Sequence, residues 1–227
     1  MKKIVVFGAG LSATYLIKYL EDNAQACGWK LTIIDRDVEL AQSKCHLPNT
    51  ICIELDINDN EKVAAEIAGS SLVVSMLPAS LHITIAKICL AQGIHIATAS
   101  YLSDEIEALE NEVSKKGLIF LNECGLDPGI DHLSAMKLLN DIRAKGNKIT
   151  EFESFTGGLV ALDCEDSPWK YKFTWNPRNA VLAGSGGAVK FIHNDQYKFI
   201  PYHRMFRRTE LVTIDGYGKF EGYANKQ

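Results

Sequence analysis

Residues 122–133 read NECGLDPGIDHL and place two aspartates, a histidine, a cysteine, two glycines and a proline in one connection. Gly125 and Gly129 permit sharp backbone turns and Pro128 stiffens them. Asp131 reads as the N-cap of a following helix. His132 reads equally as a hydrogen-bonding residue or a proton carrier. Asp127 has no structural duty that the pattern names, and a carboxylate in such a turn is a candidate acid–base group. A second constellation opens the chain. Gly8-Ala9-Gly10-Leu11-Ser12-Ala13 follows a short apolar run and precedes helical spacing. Gly8 allows the tight turn, Gly10 lets backbone approach a pyrophosphate, and Ala13 keeps the helix near the strand. With Leu11 and Ser12 they would present helix N–H groups to phosphate. The alternative is a glycine turn in a non-binding domain.

Asp35 closes the next apolar run, 22 residues after Ala13. A carboxylate there accepts hydrogen bonds from the adenosine ribose and repels a 2'-phosphate, which favours NAD. Arg36 can instead pair with a 2'-phosphate, so NADP stays open. Asp56 and Ile57 could flank the adenine, or reflect ordinary loop polarity. Leu77 and Pro78 would lie beside the nicotinamide ribose. Ser100 and Tyr101 would face the crevice, although Tyr101 also fits an amphipathic residue over a sheet edge.

The elements that must hold these residues alternate. Runs at KKIVVF, WKLTIIDRD, TICIELDIND, SLVVSMLP, IHIATAS and LIFLNE read as strands, several separated by helical periodicity. The helices include one with an Asn60 cap, one capped by Ser103 and running to residue 117, and one over residues 134–144. Strand and helix alternating over about 125 residues predict an α/β fold, a Rossmann-type doubly wound parallel sheet. Residues 1–130 form the expected cofactor domain. Residues 131–227 read as part of a mixed α+β domain with short strands at AVKFIHN, YKFIP, ELVTI and KFEGYA.

Composition narrows the function classes. The chain has 227 residues, 47% apolar, with a formal net charge of -4. That excludes a general nucleic-acid surface and a disordered chain. The basic run at His203, Arg204, Arg207 and Arg208 reads as a solvated edge or a local anion site. No apolar run approaches the about 20 residues of a membrane span. Six cysteines without CxxC spacing point to reduced thiols, no zinc site and a cytoplasmic setting.

The segments GAGLSA, LVVSMLPASLH, TASYLS, NECGLDPGIDHLSAMKLL, SFTGGL and SPWKYKFTWNPRNAVLAG together resemble the saccharopine dehydrogenase family, especially its glutamate-forming reductases. GLDPGIDH combined with YKFTWNPR is the specific part. The resemblance implies reversible NAD(P)-dependent oxidation of saccharopine to glutamate and 2-aminoadipate 6-semialdehyde in lysine metabolism. It implies a second domain that holds the small-molecule substrate and forms a homodimer. It places Asp127 against the substrate amine as acid–base group, with desolvation raising its pKa. Tyr101 would hold the amine or the attacking water. Ser100, Thr156, Gly157, Asn176 and Arg178 would contact substrate.

Three departures accompany the match. Thr156 stands where relatives carry a cysteine, and cannot supply a thiolate. Asn176 replaces a serine. Lys226 stands where an arginine would grip a carboxylate, and family members run on well beyond this point. The expectation is therefore a C-terminally truncated chain whose activity is in question. The alternatives are a related amine dehydrogenase, acting on carboxynorspermidine or on lysine at C6, and a non-catalytic dinucleotide-binding protein.

Overall fold

Val5, Val6 and Phe7 are almost wholly buried, and so are Leu31, Ile33 and Ile34. These two runs are the centre of a parallel sheet, β1 (Lys2–Phe7) and β2 (Trp29–Asp35), buried on both faces. Continuous β-branched runs of this kind suit a sheet covered by helices on both sides. A computed structural model describes residues 1–164, 172 and 187–224. Asn176, Arg178 and Lys226 lie outside the described residues. Two compact units divide the chain, Met1–Glu151 and Phe152–Gln227.

In the first unit β3 (Ile51–Glu54), β4 (Leu72–Ser75), β5 (His95–Thr98) and β6 (Phe120–Leu121) complete a six-stranded sheet of order β3-β2-β1-β4-β5-β6. Every pairing is parallel. Residues alternate between the faces, as a period of two requires. Val5, Phe7, Ile34 and Val73 pack with Val63, Ile67, Ile85 and Cys89 on one face. Ile4, Val6, Leu31 and Ile33 pack with Ile17, Leu20 and Ala41 on the other. Each large aliphatic buried this way contributes about 1.5–3 kcal/mol. The faces are covered by α1 (Thr14–Cys27) and α2 (Val38–Lys44) on one side, and by α3 (Asn60–Ile67) and α4 (His82–Gln92) on the other.

Several boundaries differ from the sequence reading. Helix α2 is absent from it, because VELAQSK is short and buries only Ala41. The cap of α3 is Asp59, whose carboxylate accepts from the Lys62 N–H, and not Asn60. The expected helix after Ser103 is two short pieces, α5 (Asp104–Glu107) and α6 (Glu110–Lys115). The Ser103 cap itself is present, accepting from Ile106 N. Helix α7 spans Ile130–Ala144 and starts earlier than residue 134.

The second unit contains two antiparallel pairs, β7 (Val189–His193) with β8 (Gln196–Ile200), and β9 (Thr209–Ile214) with β10 (Gly218–Tyr223). Val189, Ile200 and Met205 form its small described core.

Candidate active site and cofactor loop

The sheet order reverses direction between β1 and β4. Ligands in open α/β sheets sit at the carboxyl ends of the strands at such a switch point. Gly8 follows β1 there, with φ +98°. A Cβ on Gly8 would stand 2.8 Å from the Met76 carbonyl oxygen, at the end of β4. Only glycine lets these two strand tips come so close. Gly10 has the opposite property: a Cβ there meets nothing within 4 Å, so its outer side is open to a ligand. Gly10 precedes a 3-10 turn, Leu11–Ala13, that leads into α1 with no side-chain cap. The first helical N–H groups are left for an anion, and the helix dipole favours one. These residues fit a dinucleotide pyrophosphate.

The Asp35 carboxylate is tied to this loop. Oδ2 accepts from the Ala9 N–H at 2.6 Å and Oδ1 from the Asp37 N–H at 3.0 Å. Lone pairs remain for a ribose hydroxyl. Arg36 beside it is exposed. Lys44, unforeseen in the sequence, donates from Nζ to the Gly10 carbonyl. Burial holds its ammonium below the ordinary value, with the Asp35 carboxylate acting in the other direction. Asp56 accepts from Asn58 N at 2.9 Å and Asn58 Nδ2 at 2.8 Å, forming a turn. Ile57 and Leu77 pack against the core. Pro78 precedes the turn into α4.

The turn after β6 is organised by its glycines. Gly125 N–H donates to Pro128 O at 2.9 Å, and Ile130 N–H to Gly125 O at 3.0 Å. The Asp127–Pro128 peptide is cis. Asp127 is exposed, in contrast to the desolvated setting expected of it, and its Oδ1 accepts from the Tyr101 hydroxyl at 2.9 Å. Tyr101 follows β5, so the sheet's order brings together two residues 26 apart in the chain. Burial first, then the Asp127 bond and charge, push the Tyr101 phenol above its ordinary value. It is therefore a hydrogen-bond donor at any physiological pH. Asp127 supplies an acceptor, and the pair can take and return a proton at a substrate nitrogen or water.

Asp131 does not cap α7 from the N-cap position, which is Gly129. It sits in the first turn and reaches back, accepting from Gly129 N–H at 3.0 Å and from His132 Nδ1 at 2.7 Å. Desolvation disfavours its charged form, but the bonds from His132 and Gly129 together outweigh it, and its carboxyl lies below the usual value. Thr156 and Gly157 lie in the second unit, exposed and outside regular structure.

His82 is the residue that sequence reasoning missed. It opens α4 and is only 3% exposed. Nδ1 lies 2.8 Å from Ser75 Oγ, and Nε2 lies 2.7 Å from Ser100 Oγ and 3.3 Å from Thr98 Oγ1. The imidazole thus ties the tips of β4 and β5 together beneath Ser100. The available signal was a histidine heading a largely apolar helix. Burial pushes His82 down to about 4. A histidine buried neutral stabilises the fold above its unfolded pKa of about 6.5. That stability is lost as pH falls toward the folded value, because only the unfolded chain binds the proton in that window. Urea unfolding of the wild type should lose about 2 kcal/mol between pH 7 and pH 5 from this group. A His82→Gln chain should lose correspondingly less, and equal losses in both would show that His82 does not titrate on unfolding.

Comparisons with known proteins agree with this fold. Residues 4–121 match the family model described as the saccharopine dehydrogenase NADP binding domain. Residues 125–227 match the one described as the saccharopine dehydrogenase C-terminal domain. The chain is 36% identical over 183 residues to a saccharopine dehydrogenase [NADP(+), L-glutamate-forming] of Pyricularia oryzae, covering 80% of this chain and 40% of that protein. The same-named protein of Schizosaccharomyces pombe is 34% identical over 217 residues, covering 95% of this chain and 44% of its own length. The solved structure of apo saccharopine dehydrogenase (L-Glu forming) from Saccharomyces cerevisiae superposes with a TM-score of 0.86 at 29% identity. It covers 100% of this chain and 50% of that one. The chain therefore spans half or less of the length of these relatives.

Proposed function

We propose, for a chain that belongs to the saccharopine dehydrogenase family, the NADP-dependent, L-glutamate-forming oxidation of saccharopine or its reverse. The observation that carries this reading is the Tyr101–Asp127 bond at the carboxyl end of the sheet, at 2.9 Å, in a chain that matches the family along nearly its whole length. The bound dinucleotide would supply a hydride acceptor. Gly8, Gly10, Leu11, Ser12 and Ala13 would hold its pyrophosphate, with Leu77 and Pro78 beside the nicotinamide ribose and Asp56 and Ile57 near the adenine. Asp127 accepts a proton from the substrate's secondary amine, which must be unprotonated before hydride can leave the neighbouring carbon. Tyr101 keeps Asp127 oriented and donates toward the amine or the water that hydrolyses the resulting imine. Asp127 then returns the proton to the departing glutamate nitrogen. Ser100, anchored by His82, directly precedes Tyr101. Thr156, Gly157, Asn176 and Arg178 are the proposed substrate contacts of the second domain, with the functional boundary between residues 130 and 131.

The cofactor reading is NADP rather than NAD. Two fungal relatives are named for NADP(+). The Asp35 carboxylate is tied to the glycine loop, and Arg36 stands exposed beside it. An arginine there forms a forked contact with a 2'-phosphate. Arg36→Ala should weaken NADPH binding about ten-fold, about 1.4 kcal/mol, and leave NADH binding within two-fold, measured by fluorescence titration. An equal effect on both would remove Arg36 from 2'-phosphate recognition.

The reading includes a homodimer through the second unit, supported by exposed Ile192, Phe199 and Leu211 on its short sheets, and a reducing cytoplasmic setting for six free thiols. No helix among the described residues is long and apolar enough to cross a membrane. NADP+ reduction driven by saccharopine tests the activity. Turnover of carboxynorspermidine or lysine in place of saccharopine would reassign the substrate, and failure to bind either dinucleotide would end the cofactor reading.

A further inference from the structure

Cys45 ends α2 and Cys52 lies in β3, seven residues on. Their sulfurs are 3.3 Å apart, and the Cys45 thiol also donates to Ala41 O at 3.3 Å. Both are partly buried, and both line a cavity of about 370 Å³ with Gln42, His46, Leu47 and Thr50. The segment between them is anchored. The buried Glu21 carboxylate accepts from His46 N at 2.9 Å, Leu47 N at 3.2 Å and Thr50 Oγ1 at 2.5 Å. The two thiols are thus held face to face by a fixed loop. A disulfide requires about 2.05 Å between sulfurs, so closure needs a movement of little more than about 1 Å. Cys27, Cys124 and Cys164 are exposed, and among the described residues none of them has a sulfur contact with another cysteine.

We propose that Cys45 and Cys52 form a peroxide-responsive disulfide site whose closure acts on the glycine loop through Lys44. Lys44 immediately precedes Cys45 and holds the Gly10 carbonyl. Burial and the adjoining Cys52 sulfur push the Cys45 thiol up to about 12, which keeps it protonated and leaves the first attack to Cys52. The Cys52 thiolate attacks one oxygen of hydrogen peroxide, the O–O bond breaks, and hydroxide leaves a sulfenic acid on Cys52. The Cys45 sulfur then attacks that sulfur. The S–S bond forms, the S–O bond breaks, and the Cys45 proton leaves with the hydroxyl as water. Two thiols and one peroxide give one disulfide and two waters. Cys45 is drawn toward β3, and Lys44 is displaced from Gly10.

The test is to treat the full chain with hydrogen peroxide, block the remaining thiols under denaturing conditions, and map the peptides by mass. The expected product is a Cys45–Cys52 link, a fall in free thiols from the six present by two, and full reversal by dithiothreitol. Closing this short loop should also raise Tm by about 5 °C. Cys45→Ser and Cys52→Ser should each remove the link. Sulfinic acid without a link, or links through Cys27, Cys124 or Cys164 instead, would overturn the site. The coupling to the cofactor loop rests on the function proposed above. Oxidation should weaken NADPH binding at least about five-fold in the wild type and not in Cys52→Ser. Should the reduced chain bind no dinucleotide, that reading fails while the mapping still decides the pair, and hydrogen exchange of residues 8–13 reads the coupling. A disulfide that leaves both exchange and affinity unchanged overturns it.

Discussion

Gly129→Ala is expected to destabilise the first unit by about 3–5 kcal/mol and to lower Tm by about 10 °C. Gly129 has φ +146°, and a Cβ there would stand 2.2 Å from the Gly125 carbonyl oxygen and 2.6 Å from its nitrogen. Those atoms are backbone, so no rotamer change relieves the clash. Gly125 is itself closely surrounded: a Cβ added to it would stand 2.9 Å from the Ala99 side chain. Relaxation must therefore open the bonds from Gly125 N to Pro128 O and from Ile130 N to Gly125 O. The turn that carries Asp127 and starts α7 opens with them. Urea unfolding measures the loss, and a change below about 1 kcal/mol would show a turn more adaptable than its contacts imply. The nearby exposed position Leu126 provides the comparison: Leu126→Ala in the same turn should change stability by less than about 0.5 kcal/mol.

Asp127→Asn is expected to reduce saccharopine-dependent NADP+ reduction by about 10²–10⁴-fold, with NADPH affinity within two-fold of wild type. The amide keeps the shape of the carboxylate and an oxygen that can accept from Tyr101, so the arrangement at 2.9 Å survives. What is lost is the capacity to take a proton from the amine and return it to the leaving nitrogen. The same replacement removes the negative charge that raises the Tyr101 phenol. A spectrophotometric titration of Tyr101, isolated by comparison with Tyr101→Phe, should show its pKa moving down. Activity within about three-fold of wild type would remove Asp127 from proton transfer.

Much of this protein was legible before folding was considered. The β-branched runs and glycine punctuation specify the parallel sheet, because a strand buried on both faces must be apolar throughout. GAGLSA is recognisable because Gly8 and Gly10 answer two distinct steric demands, a close strand tip and an open ligand face. The sequence puts Asp35 at the end of an apolar run, but its bonds to Ala9 and Asp37 depend on the register of β1 against β2. No one-dimensional pattern contains that register. The same limit explains α2. Seven residues with one buried side chain carry too little periodicity to declare a helix, and contact with the sheet decides it.

The residues themselves determined the alternation of strand and helix, the glycine turn after β1 and the carboxylate in the turn after β6. The tertiary structure decided which distant groups meet. It set Tyr101 against Asp127, His82 between Ser75 and Ser100, Lys44 on Gly10, and Cys45 against Cys52. Each of these contacts joins different elements, and strand order and helix docking determine whether such groups lie within hydrogen-bonding distance. Periodicity reports which face of an element is buried; it carries no information on what that face will touch.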